Sequence, residues 1–246
     1  MADMEIAVLL STGMHPVSGK PRMAPEDARA AEMALRLGLT YSAIHAGDIS
    51  NVALRDYLGL GVDKIEVLGP LQSHDDIVPP LVQRLSELAP DIVLTGSRTE
   101  KGEASGMVPY QIAQQLKMKH IAGVCSIEAL EGDEIIVVQG YKGVPRRKLA
   151  VKTPVLLSVS ELAPLPRMRA FARARVGKLE QIPVEAKRDD ESAQWTRSPA
   201  RRRPKKITPG QSRGGSEALV GLTPKEAAMQ IVSFLKEIGV IEGKKQ

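Results

Sequence analysis

Residues 91–116, DIVLTGSRTEKGEASGMVPYQIAQQL, decide the fold. They read as a buried strand (92–95), a loop of small and polar residues (96–105) and a helix (106–116). A strand feeding a glycine-rich loop that opens a helix suits an anion. The helix start carries unpaired N–H groups and a positive dipole end, and glycine admits close approach. Neither G-x-G-x-x-G nor G-x-x-x-x-G-K-[ST] occurs in the stretch, so neither fingerprint applies. From these residues alone, a ligand loop and a plain connector are both open. One anion at a helix end gains only about 0.3–1 kcal/mol. A bound nucleotide would need several backbone N–H groups as well, or Arg98 or Lys101 as charged donors.

Upstream, strand and helix alternate. Residues 5–10 form an apolar run, read as the first strand. The loop STGMHPVSGKPRMAP follows, with three prolines and two glycines. Pro25 opens a helix to Leu37, with Glu26 and Asp27 suited to its dipole. Residues 41–45 and 64–68 read as strands, 50–60 and 76–88 as helices. Four such alternations argue for a mostly parallel sheet with helices on both faces. Ligands bind beyond the carboxyl ends of such strands, where loops 9–14, 45–48 and 96–105 converge.

Downstream the pattern changes. Residues 121–129, 135–139, 147–151 and 155–159 read as strands in hairpins that extend the sheet, with turns at EGD and YKGVP. The regular pattern stops at Ser160. PLPRMRAFARARVGKLEQIPV is basic and flanked by proline, and 186–215 is a polar linker containing RRRPKK. Thr223, Pro224 and Glu226 then mark a helix start, with Leu222, Ala227, Ile231, Leu235 and Ile238 on one apolar face. The expected organisation is an α/β domain over 1–160, an extended basic segment and linker over 161–221, and a C-terminal docking helix over 222–246.

The bulk numbers set bounds. The 246 residues suffice for one core with appendages, and 43% hydrophobic content is globular. Aromatics are 3%, so the core is aliphatic. One cysteine, Cys125, excludes a disulfide framework and is expected in the core. Asp3 and Glu5 stand where a signal peptide carries cations, and no run is long enough to span a membrane, so a cytoplasmic chain without membrane insertion is expected. The histidines lack metal-ligand spacing; His15 and His45 are read as loop contacts. No nucleophile–base pair or carboxylate pair stands out. The arginine-rich 167–178 segment is open to docking, to solvation as a tail, or to nucleic acid. Few aromatics interleave with it, so nucleic acid is not expected.

Several segments together resemble one family. RMAPEDARAAEMALRLG, LRDYLGLGVDKIEVL, DIVLTG, GMVPYQIAQQL, TPVLLSV and FLKEIGVIEG occur in the order and spacing of electron transfer flavoprotein β subunits, over nearly the whole chain. The resemblance implies an electron carrier, not an enzyme. Its α subunit partner would hold most of one FAD, a dehydrogenase would be the donor, and a quinone reductase or similar protein the acceptor. The β crevice would hold AMP in ordinary members and a second FAD in electron-bifurcating ones. By position the nucleotide contacts would be Leu9, Ala24, Pro25, Glu26, Asp27, Ala46, Gly47, Gly96, Ser97, Arg98, Thr99, Gly102, Ser105, Gly106 and Met107. The family's partner-recognition residue aligns best with Met168, with Arg169 and Phe171 beside it. The loop RTEKGEASG departs from the family's Asp-rich run, and STGMHP departs in the first loop; both mark a divergent member. The alternative reading is a stand-alone adenine-nucleotide enzyme or sensor.

Overall fold

The computed structural model describes residues 4–15, 17–72, 74–100, 104–188, 194 and 221–241. The chain divides into two compact units, 1–196 and 197–246. The first is built on a nine-stranded sheet in the order β11-β5-β4-β1-β6-β10-β7-β8-β9. The strands are β1 (Ile6–Leu9), β4 (Tyr41–Ala46), β5 (Lys64–Gly69), β6 (Ile92–Gly96), β7 (Lys119–Glu131), β8 (Glu134–Gln139), β9 (Arg147–Lys152), β10 (Val155–Val159) and β11 (Lys178–Pro183). From β11 through β7 neighbours run parallel; β8 and β9 are antiparallel.

Period-two alternation sorts the side chains to the two faces. Ile6 and Val8 of β1, with Ile92 and Leu94 of β6, pack with the small residues Ala28, Ala31 and Ala34 of α1 (Pro25–Leu37) and with α2 (Leu54–Leu60). Ala7, Leu9 and Val93 face the other way, toward α3 (Val78–Leu88) and α4 (Val108–Leu116). The mostly parallel sheet with helices on both faces and antiparallel strands at one end is therefore the fold expected from the sequence.

Four details differ from that expectation. β10 is not a hairpin arm: it runs parallel to both β6 and β7 and lies between them. Its all-buried VLLSV has the burial of a central strand. The pattern also resumes after Ser160, with a short helix α5 (Phe171–Val176) and β11, which adds a parallel edge to β5. Leu179 and Ile182 are only half-buried in an otherwise exposed KLEQIP, which hides this strand in the sequence. In the first loop, β2 (Thr12–Met14) and β3 (Pro21–Met23) form a separate antiparallel ribbon. Helix α2 starts at Leu54 rather than Ser50, because Asp48 accepts hydrogen bonds from the backbone and hydroxyl of Ser50 in a turn ahead of it.

The second unit contains α6 (Pro224–Glu237). Thr223 and Glu226 form a reciprocal capping box with Pro224 in the first turn, as the sequence predicts.

Candidate functional site

The chain runs from β1 outward to β4 and β5, then returns to β6 on the opposite side of β1. The carboxyl ends of β1 and β6 thus frame the switch point at which α/β sheets bind ligands. The first turn of α1 fills this point. Asp27 accepts hydrogen bonds from the Ser11 hydroxyl, the Ser11 N–H (2.7 Å) and the Gly96 N–H (2.6 Å). It therefore joins the two strand ends. Glu26 Oε2 accepts from the Ser97 N–H at 2.8 Å and the Arg98 N–H at 3.2 Å. Glycine at 96 makes room for both: a Cβ there would lie 2.5 Å from Asp27 Oδ1 and 2.9 Å from the Glu26 Cβ.

Other groups brace this junction. The buried Tyr57 hydroxyl donates to the Ser11 carbonyl at 2.7 Å and accepts the Ala24 N–H at 3.0 Å. Burial first, then the Asp27 charge, pushes the Tyr57 hydroxyl well above its ordinary value. Burial also raises the Asp27 carboxyl to about 6, against the hydrogen bonds that favour its ionised form. Arg22 of β3 forms a two-pronged ion pair with Glu100, which ties the ribbon to the β6–α4 loop. Asn51 donates to Thr12 at 3.0 Å. His45 donates through Nδ1 to the Leu10 carbonyl at 2.8 Å, a contact that fixes its tautomer.

The sequence-predicted residues fall around this junction. Leu9 is buried at the end of β1, Ala24 is the buried N-cap of α1, and Pro25 is exposed at its first turn. Ala46 ends β4, and the Gly47 N–H donates to the Leu68 carbonyl at 3.0 Å. Thr99 is half-buried, and Ser105 accepts from the Met107 N–H at 3.4 Å. Gly106 has φ +74, and a Cβ there would lie 2.8 Å from the Ser97 carbonyl. Met107, half exposed, caps α4. Gly102 and Lys101 lie outside the described residues. Ser11, Tyr57 and Arg22 are not legible as site residues, because no local motif marks a side chain that bridges segments distant in sequence.

As folded, the residues do not offer a phosphate site at the start of the β6–α4 loop. The N–H groups of Gly96, Ser97 and Arg98 are all committed to α1 carboxylates.

A second region carries the basic segment. Glu32 of α1 is buried and accepts from the Arg167 guanidinium at 2.8 Å and from Arg36 at 2.7 Å. Burial alone would raise its carboxyl; hydrogen bonds from Arg167 and Arg36 outweigh that and hold it below its usual range. Arg169 pairs with Asp56 at 2.5 Å, the Ala170 N–H donates to the Gly59 carbonyl at 2.8 Å, and Arg55 donates to the Gly177 carbonyl at 2.8 Å. The segment is thus fastened to α1 and α2. Met168 is nevertheless 94% exposed and Phe171 78%. Between α1 and this segment lies a cleft of about 260 Å³ lined by Arg22, Met23, Leu165 and Arg169 among others.

On the sheet, His120 Nε2 lies 2.7 Å from the Ser158 hydroxyl. Ser158 is 2% exposed on the central strand β10, so no substrate reaches it. Among the described residues no group of His, Cys, Asp and Glu could hold a metal ion, and no helix is long and apolar enough to cross a membrane.

Residues 17–187 match the electron transfer flavoprotein domain family. The chain is also 33% identical to an electron transfer flavoprotein subunit beta from Chromohalobacter salexigens, over 97% of this chain and 96% of that protein. With the parallel sheet and its switch-point crevice in place, these matches show that the chain belongs to the electron transfer flavoprotein β-subunit family.

Proposed function

We propose that this chain is the β subunit of a two-subunit electron carrier. An α subunit would hold most of one FAD, and this chain would supply a wall of the flavin site and the surface that meets the dehydrogenase donor. Electrons would pass on to a quinone reductase or similar acceptor. The observation that carries the reading is the end-to-end match to a β subunit, with the family domain covering residues 17–187, which include every strand of the sheet after β1 and the anchored basic segment. Such a carrier requires no covalent chemistry from the protein. That agrees with a crevice whose polar side chains are spent on holding strand ends together.

The anchored segment supports a docking role. Its arginines include two, Arg167 and Arg169, that grip α1 and α2, while Met168 between them and Phe171 just beyond are exposed to solvent. A solvated tail would not be tethered at several points, and an exposed apolar residue ringed by cations suits an acidic partner.

The test is coexpression with a cognate α subunit, followed by denaturation of the purified pair and identification of the released small molecules. A stable pair that releases FAD is expected. A pair without flavin, or two chains without mutual affinity, would overturn the reading. AMP beside FAD marks a simple carrier, and two FAD mark a bifurcating type.

A further inference from the structure

The N–H groups of Ser97 and Arg98 converge on a single oxygen, Glu26 Oε2. Successive N–H groups aimed at one point form a concavity for an anion. Here the anion is the chain's own carboxylate. The neighbouring carboxylate differs in kind: Asp27 is enclosed and holds Ser11 as well as Gly96. Glu26 is half-buried, follows the exposed Pro25, and among the described residues makes its hydrogen bonds to this one loop. It can therefore rotate into water without releasing the strand ends that Asp27 and Tyr57 join. The Arg98 side chain is exposed and forms no ion pair among the described residues.

We propose that Glu26 is an internal occupant of the loop's anion position, and that a phosphate reaches the Ser97 and Arg98 N–H groups only by displacing it. The inference rests on the β-subunit reading, which puts an adenine nucleotide in this crevice. It adds what governs entry. A phosphate entering while Glu26 stays would meet two carboxylates within one helical turn. A neutral adenine–ribose portion meets no such opposition. Glu26 thus sets the crevice against phosphate-bearing ligands and lowers their apparent affinity by the fraction of time it is bound.

The test compares AMP with adenosine on the full-length chain by calorimetry, for the wild type, Glu26→Ala and Glu26→Gln. AMP is expected to bind Glu26→Ala about tenfold tighter than wild type, with Glu26→Gln between them because it keeps an accepting oxygen without the charge. Adenosine is expected to bind all three within about twofold. The idea is overturned if AMP binds the variants no tighter, if neither wild type nor variants bind AMP, or if adenosine gains as much as AMP. Should Glu26→Ala fail to fold, the isosteric Glu26→Gln decides alone: a gain of about threefold for AMP and none for adenosine supports the idea, and no gain sinks it. Flavin content of the pair with its α subunit reports separately on the β-subunit reading.

Discussion

Arg167 and Glu32 stand 135 residues apart in sequence, yet the backbone N–H and the guanidinium of Arg167 both donate to the Glu32 carboxylate. That carboxylate is 4% exposed, whereas the arginine side chain is 40% exposed. The contact is a hinge pin between helix α1 and the basic segment.

Arg167→Ala leaves Glu32 buried with Arg36 as its remaining cation. Breaking a fully buried pair costs about 3–5 kcal/mol; with one partner partly in water, about 2 kcal/mol is expected. Urea unfolding should show the loss, and amide exchange across 167–176 should quicken. Because Glu32 is held below its usual range, its contribution is present above the ordinary glutamate value and is lost as pH falls through the lowered one. Wild type and variant should therefore converge in stability under strong acid. An equal gap at all pH values contradicts the assignment.

Asp27 titrates in the opposite sense. Its folded carboxyl is raised to about 6 from 3.8. Protonation then favours the folded state, so this group's stabilisation is full below the ordinary value and is lost as pH rises through 6. Keeping it ionised at pH 7 costs roughly 3 kcal/mol relative to an unperturbed carboxyl. Asp27→Asn should remove that slope. The stability difference between wild type and variant is expected to change between pH 4 and 6; a flat difference there defeats the prediction.

Tyr57→Phe removes the hydroxyl from the Ala24 N–H and the Ser11 carbonyl, which keep only their own longer contact of 3.3 Å. A loss of about 1 kcal/mol is expected, with no cavity of note. The same change should speed amide exchange at Ala24 and Ser11 ahead of the sheet interior. If only global unfolding shifts, the brace is not local.

Met168→Ala tests the docking surface within the paired subunits. Truncating an exposed anchor should slow reduction by the cognate dehydrogenase on the order of tenfold while flavin content stays unchanged. Unaltered kinetics would remove Met168 from the contact.

Much of this architecture is written in periodicity. Residues 6–9 and 92–94 are apolar at every position, so strand identity and burial on both faces could be read directly. Thr223, Pro224 and Glu226 announced a helix by local chemistry. Strand β10 could be recognised but not placed: VLLSV is equally apolar whether it ends a hairpin or sits between β6 and β7, and pairing partners leave no mark in a single strand. KLEQIP was hidden because an edge strand buries too little to show alternation. In the site, Glu26 and Asp27 were visible as first-turn acids suited to a helix dipole. Their actual partners, the N–H groups of residues 96–98, lie about 70 positions away. Such tertiary capping follows from topology, not from local pattern.

The position of β10 bears on how the chain assembles. The sheet's parallel core cannot close across β6 and β7 until residue 159 has emerged, because β10 supplies both sets of ladder bonds between them. The β7–β8–β9 meander can form early, since its contacts are close in sequence. It then waits, joined to nothing on its β7 edge, while the β1–β6 half offers an open edge of its own. Two unsatisfied edges with a late-arriving strand between them describe a slow, non-local closing step. A chain truncated before Val155 should fold in pieces and associate through those edges.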